Sequence, residues 1–364
     1  MAFTLELLVT EKCNLGCPYC YVANKNKFMT KETFDKKFDQ LHDLVQRTGE
    51  KNYHISFFGG EPLLNWDLVK YAIPKFKADP LCVGIVLISN MTLIDKEKSD
   101  FLLQHGVGVS WSFDGITSNE TRPLLKTPEN DGYYGTAEGI LKMYEDKKDL
   151  ILRHIRGCKF MVWPGNSQLM TENLEFFAEW GIPFPDYSLV RDDVWTVEDI
   201  KNFKDDLRKL GDRTIKYINE ENTLIMPGFF SLSIMDSMLG LAKGKRPFGC
   251  FAGCRGVAIM PDGEVYPCAR FGSKRIMEID NNYDFSYYQK QFRPENYDKC
   301  KNCNLNKICN AGCTYSQVRN DNKPLDSICE LYHIITEESY RVLRECKDST
   351  LFQQYFINAF NNIG

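Results

Sequence analysis

Fourteen cysteines in a chain of 364 residues constrain this sequence more than any other feature. Cys13, Cys17 and Cys20 crowd together near the start, and Cys250, Cys254, Cys268, Cys300, Cys303, Cys309, Cys313 and Cys329 form a second array. The N-terminal run MAFTLELLVT carries Glu6 and lacks both a basic start and a long apolar core, so it does not read as a secretory signal. No later run approaches the roughly 18 apolar residues of a membrane span. A net charge of −4 and a pI near 5.9 favour neither nucleic acid nor an anionic membrane as a partner. The expectation is a cytoplasmic protein, in which spaced thiols signal metal rather than disulfides.

The first two-thirds alternates short apolar runs with amphipathic stretches. Strands are expected at Phe3–Thr10, His54–Phe58, Val83–Ser89, Val107–Phe113, Leu150–Val162 and Phe184–Val190. Helices are expected after Thr30 (Phe34, Phe38, Leu41 and Val45 at near-helical spacing) and around Asp67–Phe76, Asp95–Gln104, Thr136–Tyr144 and Glu172–Trp180. Alternation of this kind implies parallel βα units, which a doubly wound sheet and a partial barrel both satisfy. Two more helices follow at Asp199–Tyr217 and Phe229–Ala242. Beyond Lys243 the chain becomes loop-rich, with a hairpin expected at Val257–Met260 and Glu264–Pro267 around Pro261-Asp262-Gly263. Two helical stretches after Cys329 complete the chain. The expected division is residues 1–243, 244–346 and 347–364.

Cys13-x3-Cys17-x2-Cys20 sits directly after the first strand. Structural zinc and iron–sulfur sites usually take four protein ligands. Three thiols in one loop leave one iron open to a small molecule. With Tyr19 before the last cysteine, the loop resembles the signature of the radical S-adenosylmethionine superfamily. That resemblance implies a [4Fe–4S] cluster on Cys13, Cys17 and Cys20 and reductive cleavage of S-adenosylmethionine to a 5′-deoxyadenosyl radical. It extends to Gly59-Gly60-Glu61-Pro62, whose backbone would receive the cofactor's amino group. Ser89-Asn90-Met91-Thr92 resembles a segment in which a glycine usually stands where Met91 is. Ser112-Phe113-Asp114-Gly115 supplies Ser112 for the ribose, and Arg122 is placed to meet the methionyl carboxylate. Tyr19, Gly59, Gly60, Glu61, Asn90, Ser112 and Arg122 are thus the expected cofactor contacts. All lie at strand ends, as in β/α barrels. The expected fold is α/β, a partial (β/α)6 TIM-like barrel with a C-terminal cysteine-rich domain.

The downstream array resembles the SPASM extension of peptide- and protein-modifying radical enzymes. The resemblance implies two auxiliary [4Fe–4S] clusters, one on Cys250, Cys254, Cys268 and Cys313 and one on Cys300, Cys303, Cys309 and Cys329. Three clusters and S-adenosylmethionine are therefore the expected cofactors. Fully ligated clusters suit electron transfer, and zinc in the same cages is the alternative. Cys82, Cys158 and Cys346 read as packing residues.

Two substrate classes follow from the resemblance. One is oxidative modification, by crosslink or oxidation, of a residue in a ribosomal peptide or protein. The other is the formylglycine chemistry of anaerobic sulfatase-maturing enzymes. The latter carry an aspartate base directly after the cysteine of a G-x4-C element, where this chain has Ala269; Asp192 and Asp193 are possible substitutes. The sequence starts at the first strand, so the expectation is that a leader is recognised by a partner protein or by the SPASM surface, or that no leader is used. Reduced flavodoxin or ferredoxin is the expected electron donor. A non-catalytic electron carrier or a zinc-stabilised interaction protein is the contrasting reading, but neither requires an open iron or a GGEP loop.

Overall fold

The computed structural model describes residues 2–154, 157–192, 194–243, 250–285, 290–291, 294–309 and 312–361. Contacts divide the chain into two compact units.

The first unit comprises Met1–Ser112, Ser118–Ile155 and Phe251–Gln291. Its strands are β1 (Phe3–Thr10), β2 (Tyr53–Gly59), β3 (Cys82–Ser89), β4 (Gly108–Ser112), β7 (Gly256–Ile259) and β8 (Val265–Tyr266). They lie in the order β4-β3-β2-β1-β7-β8, parallel throughout except for the antiparallel β7–β8 hairpin. Helices Lys31–Asp39, Leu41–Arg47, Trp66–Ala78 and Lys96–Gln104 follow the strands. The Thr30 side chain caps the first by accepting from Thr33 N, and Asp95 does the same for Lys98 N in the last. The core gathers around Phe76, whose ring meets Phe34, Phe38, Tyr53 and Phe57 edge to face at centroid distances of 5.3–6.2 Å. On β1, Phe3, Leu5 and Leu7 are fully buried, whereas Thr4 and Glu6 face the other side of the sheet.

The second unit comprises Phe113–Thr117, Arg156–Cys250 and Phe292–Gly364. Here β5 (Cys158–Val162) pairs in parallel with β6 (Asp186–Leu189). Phe160, Phe177 and Tyr187 pack between them and helix Met170–Glu179. Helix Val197–Asn219 opens with a Thr196–Asp199 capping box and carries Phe203 against Phe229 of helix Gly228–Lys243. Helices Asp326–Cys346 and Thr350–Asn361 end the chain.

Three expectations need correction. The strand expected from Leu150 begins at Cys158, because Lys148–Leu152 is a helical turn that buries Ile151. The helix after Thr30 breaks at Gln40 into two pieces. Cys329 lies within the helix Asp326–Cys346 rather than ahead of it. The hairpin falls as expected, but its first strand extends the parallel sheet: Thr4, Leu5, Glu6 and Leu7 pair with Gly256, Val257, Ala258 and Ile259. All four β7 residues are buried, which is the fate of a continuous apolar strand in a parallel sheet. Val257→Ala should therefore cost about 2–3 kcal/mol in chemical denaturation. A value within about 0.5 kcal/mol, typical of a surface hairpin, would contradict this placement.

Candidate active site

The site begins where β1 ends. Residues 11–30 loop back so that Glu11 N donates to Lys27 O and Met29 N to Val9 O, fixing both ends of the cysteine loop. Inside the loop Leu15 N donates to Cys13 Sγ at 3.4 Å, and Cys13 N donates to the Asn24 side chain.

The exit of β2 is pressed against this loop. Gly60 N donates to Thr10 O and Glu61 N to Lys12 O, at 2.9 and 2.8 Å. A Cβ on Gly59 would stand 2.0 Å from Thr10 O, and one on Gly60 2.1 Å from Lys12 O. Gly59 also has φ 135°, a region that disfavours any side chain. The two glycines thus serve the close approach of two backbone segments, whatever ligand they also meet.

Glu61 is fully buried, and its carboxylate accepts from Leu63 N (3.0 Å), Ser89 Oγ (2.8 Å) and Asn90 N (2.7 Å). Burial pushes it up to about 7 despite those donors. The β2 and β3 exits are joined through this one group. Asn90 carries the connection onward: its Nδ2 donates to Asn14 Oδ1 at 3.0 Å and lies 3.8 Å from Cys13 Sγ. Asn14 Nδ2 donates to Thr92 Oγ1 and Asn130 Oδ1, and Asn130 Nδ2 returns to Asn14 O and Leu125 O. Tyr144 caps the network by donating to Asn90 O. Met91 holds the turn with φ 59°, fully buried and with its N–H on Ser89 Oγ. A non-glycine residue in this conformation costs roughly 1–2 kcal/mol, which the burial of the Met91 side chain offsets. The turn survives without the expected glycine.

Arg122 is 5% exposed and sits over the Tyr19 ring, 5.6 Å from its centroid. Ser112 ends β4, half-buried. In the second unit the next residues of that segment are structural: Asp114 accepts from Met161 N at 3.0 Å. Gly115 (φ 57°) leaves room for Asn173 Oδ1, which accepts from Ile116 N.

Burial, and then the charge of Glu61, pushes the Cys13 thiol up, and the nearby Cys17 and Cys20 add to it. Burial raises Cys20 as well, opposed in part by Arg122 and Lys274. Thiols held protonated in this way give up their protons to solvent when a metal centre takes their place. Among the described residues, no three His, Cys, Asp or Glu side chains are drawn together into a cage for a single metal ion. Three thiols sharing one loop are nevertheless the donor chemistry of an iron–sulfur cluster, whose ligands stand wider apart than those of one ion, and the loop fits that group. Of the downstream cysteines, Cys254 donates to Phe251 O in the first unit. In the second, Cys303 Sγ accepts from Leu305 N and lies 3.4 Å from His333 Nε2, while burial raises Cys329 against the opposing charge of Lys299. Cys158 and Cys346 are buried as packing residues, and Cys82 is half-buried with its thiol on Gly84 O. Asp193 lies outside the described residues.

Residues 7–152 match the model of the radical SAM superfamily, and residues 250–304 that of an iron–sulfur cluster-binding SPASM domain. The chain is a radical S-adenosylmethionine enzyme with a SPASM domain. Among its relatives, the radical SAM cyclopropyl synthase TigE of Paramaledivibacter caminithermalis is 23% identical over 85% of this chain and 67% of its own length. The cysteine-type anaerobic sulfatase-maturating enzyme of Clostridium novyi is 23% identical over 97% of this chain and all of its own. A solved structure of anSMEcpe with bound AdoMet and Cp18Cys peptide superposes with a TM-score of 0.64 at 19% identity, covering 99% of this chain and all of the other. That likeness shows the fold, a partial barrel with a cysteine-rich C-terminal domain. Among the described residues no helix is long and apolar enough to cross a membrane.

Sequence reasoning found the cysteine loop of this radical SAM enzyme but missed Asn14, Thr92 and Asn130, the amide network that braces it. An asparagine between two cysteines carries no signal of burial.

Gly60→Ala should lower iron retained after anaerobic reconstitution, because the added methyl drives Lys12 and Cys13 away from the β2 exit. Full iron in that variant would contradict the close approach. Glu61 gives a pH signature. Its folded-state value near 7 exceeds the ordinary 4.5, so its contribution to stability is complete below 4.5 and lost as pH rises to about 7. Denaturation midpoints of Glu61→Gln should fall less across that interval than those of the wild type.

Proposed function

We propose that this enzyme removes two hydrogens from a peptide or protein, one from each of two residues that become crosslinked or both from one side chain that becomes oxidised. The observation that carries the reading is the pairing of a three-thiol loop, which leaves an iron open, with eight downstream thiols, enough to close two further clusters. By resemblance those sets are Cys250, Cys254, Cys268 and Cys313, and Cys300, Cys303, Cys309 and Cys329. Three [4Fe–4S] clusters and S-adenosylmethionine are the cofactors of this reading, and a reduced flavodoxin or ferredoxin is the donor.

When bound, the cluster at Cys13, Cys17 and Cys20 supplies the electron that breaks the sulfonium bond of S-adenosylmethionine. The chain's own residues hold and orient the cofactor. The Gly59-Gly60-Glu61 backbone, already fixed against the cysteine loop, receives its amino group. Arg122, held over the Tyr19 ring, carries the planar guanidinium that suits a carboxylate in two-pronged fashion. Ser112 at the end of β4 meets the ribose hydroxyls. Asn90 holds the loop in place from the Cys13 side. The peptide bound to anSMEcpe supports a peptide as the substrate class.

Sulfatase maturation is the second reading, favoured by the full-length likeness to the Clostridium novyi enzyme. Ala269 weighs against it, since a methyl group takes no proton.

The test is to incubate reduced enzyme and S-adenosylmethionine with synthetic peptides covering the reading frames beside the gene. A product two hydrogens lighter that carries no aldehyde supports the first reading. An aldehyde at a cysteine or serine of a sulfatase peptide would favour the second. Solvent deuterium gained at one Cα without mass loss would refute both. Replacing Cys13, Cys17 and Cys20 together by Ala should remove about a third of the iron and all 5′-deoxyadenosine formation. Full iron in that variant would remove the basis of the proposal.

A further inference from the structure

One acidic group of the first unit has no part in the site described above. Glu6 stands in the middle of β1 on the face opposite Phe3, Leu5 and Leu7, level with Ser56 of β2 and Ala258 of β7. Its Oε2 accepts the N–H of Ala269 at 2.7 Å. The carboxylate therefore reaches the residue that follows Cys268, where the side chain itself is only a methyl group.

The surroundings suit a working carboxylate. Tyr21 lies within electrostatic reach of Glu6, Cys20 and Cys268. Its ring is 6.3 Å from that of Phe58 and 5.3 Å from the Arg270 guanidinium. Glu6, Tyr21, Phe58, Cys268 and Arg270 are all half-buried, so this cluster retains some accessible surface. Glu61 makes the contrast. Three donors hold its two oxygens and no surface is exposed, so it can do no more than brace the loop. The hydrogen bond described for Glu6 engages Oε2.

We propose that Glu6 is the proton acceptor of the oxidative step, taking the proton that the substrate residue loses next to Ala269. The inference rests on the oxidative reading above. In that reading the substrate loses one hydrogen atom, which completes 5′-deoxyadenosine. It also loses one proton and one electron as the new bond forms. The proton passes to the Glu6 carboxylate and the electron to an oxidised iron–sulfur cluster of the SPASM domain. The sum is two hydrogens removed.

Two substitutions separate this role from that of an anchor. Glu6→Gln keeps an oxygen for Ala269 N but accepts no proton, whereas Glu6→Asp keeps the base on a shorter stem. The probes are the same synthetic peptides, made with perdeuterated residues. The readouts are deuterium in 5′-deoxyadenosine, dehydrogenated product, iron content and thermal midpoint. In Glu6→Gln, deuterium transfer, iron and midpoint should match the wild type while product falls by about 100-fold or more, the usual weight of a general base. Glu6→Asp should restore part of the product. Wild-type product yield in Glu6→Gln would overturn the proposal. So would a loss of iron, midpoint or deuterium transfer in step with product, which would mark Glu6 as an anchor. If the wild type itself transfers no deuterium from any peptide, the oxidative reading fails and the inference falls with it.

Discussion

The Glu61 carboxylate is the interaction on which the rest of the site depends. A parallel sheet delivers its strand ends to one side but does not hold the loops beyond them in register. Glu61 does so by accepting from Leu63 in its own turn and from Ser89 and Asn90 at the next strand exit. Asn90 then fixes Asn14, and Asn14 fixes Asn130, so one buried carboxyl group orders three separate loops around Cys13. Such a network specifies a single geometry because each unmet donor within it would cost about 1–3 kcal/mol. The donors do not fully compensate for desolvation, which is why the carboxyl still holds its proton up to about 7.

The same dependence explains why this chemistry is compatible with a loop rather than a strand. The cysteine loop needs freedom to wrap a cluster, yet a loop alone would leave its thiols at variable spacing. Backbone hydrogen bonds at both ends, close approach of the β2 exit and a side-chain amide from the β3 exit restrain it from three directions. Arg122 and Tyr19 form a flat cationic and aromatic wall at its rim.

What the sequence made legible were features with short-range causes. β1 and the helix that Asp95 caps could be read from alternation and a single side chain. The cysteine motif was legible because three identical ligands at fixed spacing have few other uses. The strand expected at Leu150 failed because an apolar pair looks the same in a helical turn as in a strand. Asn14, Asn130 and Glu6 were not assigned because their roles depend on partners 76 to 263 positions away in the chain. No local pattern encodes a meeting at that range. The domain boundary near Lys243 follows a real change in composition, but the contacts assign residues 251–291 to the first unit instead.

That assignment bears on how the protein can be handled and how it could have evolved. Where β7 is absent, the outer side of β1 presents the backbone of Thr4–Leu7 with no neighbour. An open, apolar strand edge is a template for other chains, and natural proteins cover or charge such edges. The cysteine-rich segment is therefore also the lid on an aggregation-prone seam. A fragment ending at Lys243 would retain every residue of the signature loop and still be an insoluble half of a molecule.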